Sequence, residues 1–149
     1  MCLNIGLALM TAHRNYVKFD GINCTLVLRR PRPGMVVAVF NGPDVGEYGD
    51  APFQELANDL ERHGQIDLFV DGRDTFAASM DVSGQWAAWM RKHKDQIRRL
   101  DLLCGSRFLQ FTAEFVRKFS GFEDRMRIYT EADAFEKELA AAVNAGQSG

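Results

Sequence analysis

The chain has 149 residues, about one domain's worth, with 46% apolar residues and a net charge of −2. It is long enough to bury a core without metal or disulfide staples, and its near-neutral charge supplies no field to recruit nucleic acid or an anionic membrane. Three cysteines, Cys2, Cys24 and Cys104, form no CxxC, and their odd number argues against a disulfide framework, so a reducing cytoplasm is expected.

Residues 1–14, MCLNIGLALMTAHR, are apolar but lack a basic leader and are too short to span a bilayer. They are expected to be a loosely ordered extension, with an extra strand or short capping helix as the alternative. YVKF (Tyr16 to Phe19) alternates as a strand does. CTLVLR (Cys24 to Arg29) and MVVAVF (Met35 to Phe40) flank the turn RPRPG and predict an antiparallel hairpin. At its tip, Arg29, Arg30 and Arg32 can clamp an anion or keep the hairpin end soluble.

A loop leads to Asp50 and Pro52, which open a helix. Phe53, Leu56, Ala57 and Leu60 give that helix one buried stripe, and His63 and Gly64 close it. IDLFV (Ile66 to Val70) predicts a strand ending at Asp71. A second helix carries Trp86, Trp89, Met90, His93 and Ile97 on one face, with Ser83 as its expected N-cap. LDLLC (Leu100 to Cys104) is a strand. Gly105-Ser106 opens a third helix, on which Phe108, Phe111, Phe115 and Phe119 share one side. MRIY (Met126 to Tyr129) is the last strand. Thr130 and Asp133 form a capping-box pattern before a fourth helix with Phe135, Leu139 and Val143 in its seam, and residues 144–149 read as a frayed tail.

Alternating β and α units predict a single α/β domain over residues 15–143. Its sheet is mixed, an N-terminal antiparallel hairpin plus parallel strands, with four helices.

Chemistry-bearing motifs are few. Neither GxGxxG nor GxxxxGK[ST] is present. The turn at Gly105 and Ser106 offers an anion-binding position or a plain helix cap. DVSGQ lacks the first glycine of a nucleophile elbow, and His93 lies roughly 15 Å further along the same helix, out of reach of Ser83. No catalytic residue is assigned, and no cofactor or metal is expected. Asp71, Asp74 and Asp81 leave open a metal-assisted enzyme as the third reading. The Phe row, with Trp86 and Trp89, reads first as core packing. A homodimer face, or a pocket for a lipid or small apolar ligand lined by Trp86, Trp89, Phe108, Phe111 and Phe115, stands as the alternative.

Three segments, IDLFVDGRD (Ile66 to Asp74), VSGQWAAWMRKHKDQIRRLDLLCGS (Val82 to Ser106) and RIYTEADAFEKEL (Arg127 to Leu139), resemble the sulfate-transporter and anti-sigma-factor-antagonist (STAS) fold. The likeness is to its SpoIIAA-like branch of small bacterial proteins. The resemblance implies a non-enzymatic regulatory module that docks a protein partner through the loop and helix after the Ile66–Val70 strand. Better-known members of that branch carry an Asp-Ser-Ser-Gly turn whose first serine is phosphorylated. Here Asp81, Val82, Ser83 and Gly84 match it, with Val82 in the acceptor position, so Ser79 and Ser83 are the alternative switch candidates beside Asp81 and Gly84.

Overall fold

The computed structural model describes residues 15–148. The expectations for residues 1–14, and Cys2 with them, lie outside that range. Among the described residues, six strands form one sheet: β1 (Tyr16–Asp20), β2 (Thr25–Arg29), β3 (Met35–Asn41), β4 (Ile66–Asp74), β5 (Ile97–Cys104) and β6 (Met126–Tyr129). Four α-helices follow the third strand onward: α1 (Ala51–His63), α2 (Met80–Lys92), α3 (Arg107–Ser120) and α4 (Ala132–Ser148).

The strands lie in the sheet in the order of the sequence. β1, β2 and β3 pair antiparallel, and β3 to β6 pair parallel. The mixed α/β domain read from the sequence is therefore the observed one. Every parallel step moves in the same direction across the sheet. With right-handed crossovers, α1, α2 and α3 must then share one face. The larger core cluster agrees, joining Leu56 and Leu60 of α1, Ala87 and Met90 of α2, and Leu109, Ala113 and Val116 of α3 to Leu26, Leu28, Val36, Ala38, Leu68 and Leu100 of the sheet. The helix α4 covers the opposite face, where Phe135 and Ala142 meet Met35, Val37, Phe69 and Leu103. It continues beyond the apolar seam that ends at Val143, through Asn144 to Ser148, where the sequence reads as a frayed tail.

Three boundaries differ from the sequence reading. β4 does not stop at Asp71: Asp71 and Asp74 pair with β3 across a register shift, and Asp71 and Gly72 pair with β5, so partners on both sides override the loop-like composition. α2 begins at Met80, leaving a five-residue connection from β4 rather than about ten. It ends at Lys92, and Ile97 opens β5 instead of closing the helix.

Two of the hairpin arginines, Arg30 and Arg32, point inward rather than outward, while Arg29 is exposed. Arg30 meets Asp59 of α1 at 2.7 Å and Glu55 at 3.0 Å. Arg32 meets Asp67 of β4 at 2.9 Å and donates to the carbonyl of Ala142. These pairs staple the β2–β3 turn to α1 and α4 and leave those two guanidiniums engaged. Past β3, the Glu47 carboxylate accepts from the backbone N–H groups of Ile22, Asn23 and Cys24 at 2.6, 3.0 and 3.0 Å. The Tyr48 hydroxyl donates to the carbonyl of Cys24. The loop after β3 is thus fastened to the β1–β2 turn.

Candidate functional site

The mouth of α2 is built by Ser79. Its backbone is extended and its hydroxyl oxygen accepts from the N–H of Val82 at 3.2 Å, so Ser79, not Ser83, is the N-cap. Ser83 stands one turn inside the helix, only 4% exposed, and its hydroxyl donates to the Ser79 carbonyl at 2.9 Å. Asp81 and Gly84 are exposed on the same turn. A Cβ at Gly84 would meet nothing within 4 Å.

Trp86 and Trp89 pack half-buried between α1 and the sheet. Phe53 of α1 lies 4.7 Å from the Trp86 ring and 5.9 Å from the Trp89 ring, and Phe40 of β3 lies 6.3 Å from Trp86. His93 stacks on Trp89 at 4.9 Å. This aromatic run holds α2 against α1.

The Phe row on α3 does not pack in the core. Phe108, Phe111, Phe115 and Phe119 are 64%, 79%, 38% and 51% exposed. Leu109, Ala113, Val116 and Ser120 face the sheet instead. The two stripes have nearly the same helical spacing and stand roughly 100° apart around the helix axis. The smaller side chains let α3 approach the sheet, and the phenylalanines are left outside. The signal was present in the sequence, since Leu109, Ala113, Val116 and Ser120 recur at i, i+4, i+7 and i+11.

Beside that row, Phe115 and Phe119 of α3 and Gly84, Ala87, Ala88, Arg91 and Lys92 of α2 line an open groove. The Phe115 and Phe119 rings are 4.3 Å apart. The Arg91 guanidinium donates to the Phe119 carbonyl and ties the two helices at the groove's end. Three small residues, Gly84, Ala87 and Ala88, form the floor, an aromatic pair one wall, and two cations the rim.

A separate cavity of about 100 Å³ lies under α2 and α3, against the sheet. Its walls include Phe40, Leu68, Trp86, Met90, Leu100 and Val116, with Asp44, Thr75, Ser83 and Thr112 among its polar side chains. Trp86 belongs to this wall, whereas Trp89, Phe108, Phe111 and Phe115 do not. Burial pushes the Asp44 carboxyl above its ordinary value, and the charge of Glu47 adds to that; N–H donation from Gly46 and from the Trp86 indole works the other way.

The aspartates of the acidic segment are not gathered together. Asp71 is buried on β4 and pairs with Arg73 at 2.9 Å, which also binds Glu136 of α4; Asp74 ends the strand and Asp81 rides on α2. Among the described residues no group of three His, Cys, Asp or Glu side chains could hold a metal ion. Sequence reasoning missed Asp101 of β5, which is fully buried. It receives Arg99 at 2.7 and 3.0 Å and the Tyr129 hydroxyl at 2.7 Å, and burial, ahead of that bond, pushes the Tyr129 hydroxyl up to about 12.

At the other strand-to-helix turn, Ser106 caps α3 by accepting from Leu109 N–H at 3.0 Å, and it donates to the Phe76 carbonyl at 2.8 Å. The Gly105 N–H is taken by the Gly72 carbonyl, and a Cβ at Gly105 would lie 2.3 Å from the Arg73 carbonyl oxygen. The turn is glycine for a close backbone approach, and that N–H is engaged within the fold. Cys24 and Cys104 are buried free thiols. Burial, with Glu114 adding, pushes Cys104 up to about 12.

Among the described residues no helix is long and apolar enough to cross a membrane. No protein-family model matches the chain, and no curated protein matches it. Among solved structures, the chain is similar to an uncharacterised protein of the DUF3478 family with a SpoIIAA-like fold, from Shewanella loihica PV-4. That likeness has a TM-score of 0.58 at 10% identity and covers 83% of this chain and 98% of the other. It also aligns with an anti-sigma factor antagonist from Mycobacterium paratuberculosis at a TM-score of 0.45 and 16% identity, over 82% of this chain and 99% of that one. The sheet order, the three helices on one face and the first of these likenesses together identify the fold as SpoIIAA-like.

Proposed function

We propose that the protein is a non-enzymatic, cytoplasmic docking module that binds a protein partner across the α2–α3 face. The observation that carries this reading is the exposed phenylalanine row beside the groove floored by Gly84, Ala87 and Ala88. The four rings leave roughly 400–500 Å² of aromatic surface in water, the size of patch that marks an interaction site on a monomer. Alone it is about half of one side of a standard interface, and the groove supplies the remainder. An apolar helix with an acidic flank fits: its apolar side chains meet Phe111, Phe115 and Phe119, and its carboxylates meet Arg91 and Lys92. Regulation on this face would act through Ser79, since a phosphate at a helix N-terminus is electrostatically favoured, whereas Ser83 is shut inside.

The test is photo-cross-linking in the protein's own cells, with p-benzoylphenylalanine placed at Phe111 or Phe115, and at Lys137 of α4 as control. A discrete product from the two α3 positions, lost when Phe119 is also changed to serine, is expected. Products of equal yield from all three positions would overturn the reading, and a product of twice the chain mass would replace the foreign partner with a second copy.

A further inference from the structure

The geometry points to a second binding site, independent of the α2–α3 surface: the internal cavity between the sheet, α2 and α3 takes a small apolar molecule with a hydrogen-bond-donating head, an amine in the first place. The apolar part of the ligand is set by the walls. Phe40, Leu68, Met90, Leu100, Val116 and Met126 contribute no polar side-chain group other than thioethers. About 100 Å³ holds a short aliphatic chain or one small ring, since a dry apolar cavity of about 150 Å³ accepts benzene.

The head is set by four polar side chains, Asp44, Thr75, Ser83 and Thr112, and all four present acceptors. The Ser83 hydroxyl proton is committed to the Ser79 carbonyl, that of Thr75 to the Gly42 carbonyl and that of Thr112 to the Phe108 carbonyl. That leaves lone pairs on all three hydroxyl oxygens. Asp44 accepts from Gly46 N–H at 3.1 Å and from the Trp86 indole, and among the described residues no cation contributes to its electrostatic surroundings. A buried carboxylate without a cation is costly, and a ligand ammonium would relieve it. The N-terminal partial charge of α2, which disfavours a cation, is offset by Asp81 in its first turn.

Thr75, Ala77 and Ala78 line the cavity from the β4–α2 connection, and Thr112 lines it from α3. Their chain neighbours Phe76 and Phe111 are exposed, so apolar side chains held in water stand next to the lining on both elements.

The test compares n-butylamine, n-butanol and n-butyrate on the native protein, followed by the methyl resonances of Met90 and Met126. Saturable shifts with butylamine are expected, with dissociation constants on the order of millimolar for so few atoms. Butanol should bind less tightly and butyrate least, by about tenfold or more relative to the amine. Ala113→Leu, which fills the cavity, should abolish the shifts while the protein stays folded. Asp44→Asn should remove the preference for the amine. No saturable shift, binding of butyrate as tight as that of butylamine, or shifts untouched by Ala113→Leu would each overturn the assignment. The comparison of the three solutes needs no variant, so it stands even if a substitution unfolds the chain.

Discussion

Ser83 donates its hydroxyl proton to the carbonyl of Ser79 one turn earlier, and Ser79 in turn caps the helix through Val82 N–H. The two serines therefore have opposite tolerances. Ser83→Asp would place a carboxylate at a buried position against an apolar cavity and should lower stability by about 2–4 kcal/mol. Ser79→Asp keeps a capping side chain and should change stability by less than about 0.5 kcal/mol, whereas Ser79→Ala should cost about 1 kcal/mol. Urea denaturation of the three variants checks the order, and a Ser83→Asp protein as stable as the parent would contradict it.

Gly84 sits in a helix interior with open space where a Cβ would go. Gly84→Ala should therefore raise stability by about 0.5–1 kcal/mol. The same methyl narrows the floor of the groove, so cross-linking from Phe115 should fall while the melting temperature rises. A glycine kept only for chain flexibility would give neither result together with the other.

The pH dependence of stability carries the signature of Asp44. Its carboxyl holds a proton more tightly in the folded chain than its ordinary value near 3.8 allows, because of burial first and then the charge of Glu47. The associated stability is fully present below that ordinary value and is lost as pH rises through the raised folded value. D44N has no such loss. Its melting temperature relative to the parent should climb as pH rises above the ordinary carboxyl value near 3.8, and a difference that stays flat would assign the carboxyl no such shift.

Cys104 and Cys24 should resist alkylation in the folded protein. The Cys104 thiol, raised to about 12 by burial and Glu114, is almost wholly protonated near neutrality, and Cys24 is raised by burial too. Iodoacetamide at about pH 8 should label both only after urea is added, as read on their peptides by mass spectrometry.

Removing the Glu47 carboxylate should loosen one corner. Glu47→Ala takes away the acceptor of three successive N–H groups at the β1–β2 turn. Water can replace it, so the cost should be only about 1 kcal/mol. Amide exchange at Asn23 and Cys24 should quicken while that of Leu68 in β4 is unchanged.

The strands were legible because each is a run of β-branched or large apolar residues between turn signals, as in MVVAVF of β3. What misled the reading was ambiguity within helices and at their ends. In α3 the heavier stripe, with its four phenylalanines, looked like the inner face, but distance to the sheet favours the stripe of Leu109, Ala113, Val116 and Ser120. In α2 the Ser83-Gly84 pair imitates a helix start. Only the fold reveals that Ser79 is free to cap because Asp44 and Ala78 bridge the preceding connection. Asp71 to Asp74 have loop composition, and their strand exists because β3 lies beside them and β5 beside Asp71 and Gly72. The groove and the cavity were invisible for the same reason: each joins residues from elements that only the fold brings together.

The sheet order that equals the chain order has a consequence for synthesis. Among the described residues, no strand has to be threaded between two that are already paired. As the polypeptide leaves the ribosome from its N-terminal side, each new helix–strand unit meets a free edge left by the one before it, and the structure can accrete outward from the first hairpin. The phenylalanines of α3 arrive with the next-to-last unit, so their apolar surface is exposed only after most of the sheet that carries them has already closed.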